Sequence, residues 1–187
     1  MDCKISRLEK LRIEECPKLE SFPMMGLPPM LRSLVIENCE GLKSLPCDDN
    51  TYSYLVELHI KNCESLDSLP EGIMHYNSIS ANNTCLLEVL KIEQCSSLKS
   101  FPNGKLSSTL KQLEISDGME LESISERMMH NTMLEYLSID CDPYLKILPE
   151  CLHNLTFLSI GDCPGLESFP ERGLPMPNLK TLLIGFL

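Results

Sequence analysis

Positive charge is scarce in this sequence: 16 lysines and arginines stand against 27 aspartates and glutamates, a formal net charge of −11. A chain this acidic lacks the basic surface of a general nucleic-acid binder. No run of 18 apolar residues occurs, so no segment reads as a membrane span. Ten cysteines include no C-x-x-C pair, which removes the zinc-ribbon and dithiol-redox readings. The phosphate-cradling patterns G-x-x-x-x-G-K-[ST] and G-x-G-x-x-G are missing too, and no serine or cysteine has a nucleophile-elbow context. The four histidines, His59, His75, His130 and His153, are scattered. The Asp48-Asp49 pair and the Asp140-Cys141-Asp142 group lack the ligand spacing of a calcium loop and read as solvated turns. The expectation is a chain that is not an enzyme and uses no cofactor or metal.

What the sequence does have is one pattern repeated, L-x-x-L-x-I-x-x-C-x-x-L-x-S-[LF]-P. It runs Leu8, Leu11, Ile13, Cys16, Leu19, Ser21, Phe22, Pro23, and again Leu31, Leu34, Ile36, Cys39, Leu42, Ser44, Leu45, Pro46. A third copy starts at Leu55 and a fourth at Leu87; looser or later ones start at Leu110, Leu134, Leu155 and Leu179. The mean period from Leu8 to Leu179 is about 24 residues, inside the range of leucine-rich repeats, whose core signature this is. The L-x-I part alternates apolar and polar as a half-buried strand does. One such strand cannot bury its apolar face alone, but stacked copies fill a continuous core. The expected fold is α/β: a right-handed leucine-rich-repeat solenoid, or horseshoe, with a concave parallel sheet and short irregular convex segments. It spans residues 1–187 as one domain of about eight repeats. Strands are predicted to centre on Arg12, Val35, His59, Lys91, Glu114, Ser138, Ser159 and Leu183.

Five cysteines, Cys16, Cys39, Cys63, Cys95 and Cys163, share the phase just after the strand. They are expected to be interior and reduced, the first four buried and slow to react, since Cys packs readily in cores. The start, MDCKISRLEKLRIEE, is charged and repeat-like rather than a secretory signal, so a cytoplasmic location is expected, where disulfides are rare. The sequons Asn82-Asn83-Thr84 and Asn154-Leu155-Thr156 read as accidental. Prolines at one phase, such as Pro23, Pro46 and Pro70, argue against long convex helices. An insertion around residues 71–84 has room for a short helix.

Side chains between the core positions face outward on the concave side. Candidate partner-binding residues are Arg12, Glu14, Arg32, Val35, Glu37, His59, Lys61, Lys91, Glu93 and Glu114 in the charged early copies. Later copies add Tyr136, Ser138, Asp140, Phe157 and Ser159. Leu183 is expected to be covered by further repeats that this sequence does not contain, rather than offered to a ligand.

The segments "LRIEECPKLESFP", "LVIENCEGLKSLP", "LKIEQCSSLKSFP" and "LSIGDCPGLESFPERGLPMPNLKTL" resemble the repeats of plant nucleotide-binding leucine-rich-repeat disease-resistance proteins of the coiled-coil class. The copy at Leu110 departs from the pattern with Gly118 and Ser125, and the copy at Leu134 carries its cysteine one place early, at Cys141. The resemblance implies intracellular surveillance of a pathogen effector or guarded host protein, with the repeats holding the receptor's own nucleotide-binding domain inactive. It also implies that the chain is part of a larger receptor. ATP binding is not carried over, because Met74-His75-Tyr76 is not the M-H-D motif and no phosphate loop is present. The alternative is the substrate-binding solenoid of an F-box-type ubiquitin-ligase adaptor, whose repeats usually carry longer convex helices. An extracellular receptor ectodomain would show a signal peptide and paired capping cysteines.

Overall fold

The structure, a computed structural model, describes residues 7–23, 26–47, 52–70, 73, 86–98, 107–117, 133–141, 143, 145, 152–167 and 176–185. Eight five-residue strands occur in order: β1 Lys10–Glu14, β2 Ser33–Glu37, β3 Glu57–Lys61, β4 Val89–Glu93, β5 Gln112–Ser116, β6 Tyr136–Asp140, β7 Phe157–Gly161 and β8 Thr181–Gly185. Each is centred on the residue that the repeat phase predicts. They form one parallel sheet in chain order. No α-helix occurs among the described residues. The insertion at residues 71–84, apart from Ile73, lies outside them, as do Asn82-Asn83-Thr84, Gly118, Ser125 and Asp142.

Register follows from side-chain identity. Leu34 pairs with Leu58, Leu58 with Leu90, and so on to Leu182; Ile36, Ile60 and Ile92 stack in the same way. A slip of one residue would turn these side chains out of the core. Leucines, isoleucines and cysteines of the inner coils are essentially inaccessible, Leu58, Ile60 and Cys63 at 0% among them. Each such Leu or Ile contributes roughly 1.5–3 kcal/mol.

Two backbone devices repeat from coil to coil, from β1 through β7. The carbonyl of the residue before a strand accepts two N–H groups from the next coil, as Arg32 O does from Val56 N (2.8 Å) and Glu57 N (3.0 Å). The residue after each of β1 to β7 is left-handed: Glu15, Asn38, Asn62, Gln94, Asp117, Cys141 and Asp162 have φ between 45° and 58°. Each donates its N–H to the carbonyl closing the next strand, at 2.9–3.3 Å. That conformation turns the chain out of the sheet while keeping the ladder bonded.

The cysteine after this turn bonds back to the strand, with Cys39 Sγ 3.4 Å from Glu37 O and Cys63 Sγ 3.4 Å from Lys61 O. Cys39, Cys63, Cys95 and Cys163 are buried as expected, but Cys16 is exposed. The correction has a simple cause: β1 is an edge strand, so the first coil has a neighbour on one side only, and Leu11 and Ile13 are likewise only half-buried. Burial pushes the Cys63 thiol up to about 11 and the Cys95 thiol up to about 12, suppressing the reactive thiolate. A maleimide titration of native protein should therefore label Cys16 and Cys47 fast, with Cys63 and Cys95 reacting only on unfolding. Prompt labelling of Cys95 would contradict this packing.

Candidate protein-recognition face

Because strand side chains alternate, the residues between the core leucines and isoleucines form three parallel rows on the open side of the sheet. The first row includes Gln112, Tyr136 and Phe157; the middle row runs Arg12, Val35, His59, Lys91, Glu114, Ser138, Ser159, Leu183; the third runs Glu14, Glu37, Lys61, Glu93, Ser116, Asp140, Gly161, Gly185. Every candidate named from the sequence except Arg32 falls on these rows. Arg32 is exposed but precedes β2, on the rim where its carbonyl takes the paired bonds. Leu183, on the last strand of the described sheet, is 52% exposed, which leaves open the expectation that further repeats cover it.

The first half of the face is a web of charge pairs between neighbouring coils. Arg12 bonds Glu14 and reaches Glu37 at 3.0 Å. His59 lies between two carboxylates, 3.6 Å from Glu37 through Nδ1 and 3.3 Å from Glu93 through Nε2. The Nε2 distance is short, yet its geometry makes no hydrogen bond. Lys61 pairs with Glu93 at 2.7 Å and Lys91 with Glu114 at 3.1 Å, and Gln112 donates to Glu114 at 2.7 Å. Sequence reading named most of these residues, but their pairing depends on the closeness of adjacent coils.

The second half differs. The Tyr136 and Phe157 rings stack at 4.2 Å with planes 1° apart, and the serines beside them are small. Burial, and then the Glu114 carboxylate, push the Tyr136 phenol above its ordinary value. Carboxylate and thiol groups of Asp140, Asp162 and Cys141 come within 4.8 Å of one another. They make a poor metal site: a hydrogen bond with Asp117, then burial, push the Cys141 thiol up to about 12, and a thiol must lose its proton to ligate.

Electrostatics of the first half set a pH dependence. Partial burial raises the Glu93 pKa, but Lys61 and then His59 lower it by more, leaving it below the ordinary carboxylate value. A folded pKa below the unfolded one means stability present above the unfolded pKa and lost as pH falls through the folded one. Between about pH 5 and about pH 3, the wild type should lose more stability in denaturant melts than Glu93→Gln does. Equal losses would show that the pair contributes nothing.

Among the described residues no helix is long and apolar enough to cross a membrane. No family model matches the chain. A candidate disease resistance protein of Arabidopsis thaliana is 33% identical over 86% of this chain, which spans 11% of that protein's length. Among solved structures, the leucine-rich repeat domain of the type III effector XopL is similar with a TM-score of 0.54. That match covers 94% of this chain and 76% of the effector domain at 20% identity, a likeness of fold. The chain is therefore a leucine-rich-repeat solenoid of the kind carried by plant disease-resistance proteins.

Proposed function

We propose that this chain is the protein-recognition module of an intracellular plant immune receptor, located in the cytoplasm. On this reading its open face takes a pathogen effector or a guarded host protein. In the same receptor it holds the nucleotide-binding domain inactive, so the module binds rather than catalyses. The observation that carries the proposal is the contrast between the two sides of one sheet. Core-side rungs repeat Leu on Leu and Ile on Ile, whereas the open side changes from charge pairs to an aromatic stack along the same register. Similarity to a disease resistance protein supports the setting. An F-box-type adaptor usually has longer convex helices, and the prolines at one phase, such as Pro23, Pro46 and Pro70, weigh against them.

The test offers the immobilised chain purified pathogen effectors and host proteins. A partner should lose affinity on His59→Ala or Lys91→Glu while circular dichroism shows an unchanged fold. If a bound partner is indifferent to every open-face substitution, recognition lies elsewhere and the proposal fails. Autoinhibition is tested in trans: added chain should suppress the activity of a nucleotide-binding domain lacking its own repeats, and unchanged activity would remove that part.

A further inference from the structure

The charge on the open face is compensated in one half and not in the other. Arg12, Lys61 and Lys91 are each matched to a carboxylate of the same or an adjacent coil. From β5 to β8 the strands contain no lysine, arginine or histidine at all. Asp140 is exposed there, with no ion pair among the described residues, and its carboxylate occupies the place that a Cβ at Gly161 would fill. An Asp162 oxygen lies within 4.8 Å and accepts from the Cys141 thiol at 3.9 Å, so two carboxylates stand close together with no cation between them among the described residues. Along the strand, four residues from Asp140, stands the Tyr136–Phe157 stack, a half-buried aromatic platform.

We infer that this second half of the face is the docking site for a basic, apolar-anchored segment of a partner protein. The segment lays an aromatic or aliphatic side chain on Tyr136 and Phe157 and sets a lysine or arginine against Asp140. At about 3.3 Å per residue, the two anchors are about 13 Å apart. The inference rests on the open face being the recognition surface. A cation at Asp140 pairs with an exposed carboxylate that has no ion pair among the described residues, and the rings supply desolvated area of the kind that dominates interface energetics. Ser138 and Ser159 in the row between leave room for the backbone of the segment. The first half suits a basic partner less well, since Glu14, Glu37, Glu93 and Glu114 already hold their own cations.

The experiment pans the immobilised full chain against a library of random displayed peptides, then measures enriched peptides by surface plasmon resonance. Enriched sequences should pair a lysine or arginine with an aromatic or aliphatic residue. Asp140→Asn and Phe157→Ala should each weaken them by about tenfold. Asp140→Lys, a surface change that leaves the core untouched, should abolish them and select acidic peptides instead. Enrichment of nothing, enrichment without basic residues, or indifference to Asp140→Asn and Asp140→Lys would overturn the inference. If the peptides then depend on Arg12 and His59, the recognition-face reading survives and only this one falls. Indifference to every open-face substitution would sink both.

Discussion

Leu137→Ala should lower stability in denaturant melts by about 2–5 kcal/mol, while Ser138→Arg, one residue away, should change it by no more than about 0.5 kcal/mol. Leu137 is 0% exposed in the core cluster, between Leu113 and Leu158 of the flanking coils. Truncation leaves a cavity that the stacked leucines cannot collapse into without breaking register. Ser138 is half-buried on the open side, beside Glu114 and Ser159, where an arginine stem can lie across the sheet. Leu137→Asp should go further and unfold the neighbouring coils, since it places an unpaired charge in the core. Equal destabilisation by Leu137→Ala and Ser138→Arg would mean that the two sides of the sheet are misassigned.

Gln94→Pro is expected to be as damaging, by a route that involves no core contact. Gln94 is exposed, has φ 53°, and donates its N–H to Ser116 O at 3.0 Å. Proline locks φ near about −65° and has no N–H, so the substitution removes the bond and reverses the turn at once, for about 3 kcal/mol or more. Gln94→Gly should act oppositely: a non-glycine residue in this region is strained by about 1–2 kcal/mol, which glycine relieves at some entropic cost. Denaturant midpoints of the two variants should therefore fall on opposite sides of the wild type. A tolerated proline would show that the turn is not a constraint on the ladder.

Much of this was legible in the sequence because the repeat is a periodic signal read many times over. All eight strand centres, and the core positions around them, follow from the spacing of leucine and isoleucine. The left-handed turn was not legible. Asn38, Asn62, Asp117 and Asp162 are residue types that tolerate it, but Glu15, Gln94 and Cys141 are not, and only the shared register shows that one geometry is imposed on all seven. Exposure of Cys16 was missed for a different reason: its local sequence matches Cys39 and Cys63, and the missing neighbour is a property of the sheet edge. Tyr52, Ser107, Leu152 and Met176 were also overlooked as core residues. Each opens the turn three residues before a repeat's first leucine, with a carbonyl that accepts that leucine's N–H, a phase that varies too much in side chain to stand out. On the face, residue names were readable but partnerships were not. The spacing of Glu37 and Glu93 around His59 exists only after three coils are stacked.

The identical rungs between coils have a genetic consequence. Since Leu meets Leu and Ile meets Ile at each boundary, and each repeat is stabilised through its immediate neighbours, an inner coil can be deleted, duplicated or exchanged without creating a new kind of interface. Unequal crossing-over within the coding DNA would thus reshuffle whole coils while the product stays folded. Each event would rewrite the order of charges and rings along the open face in a single step.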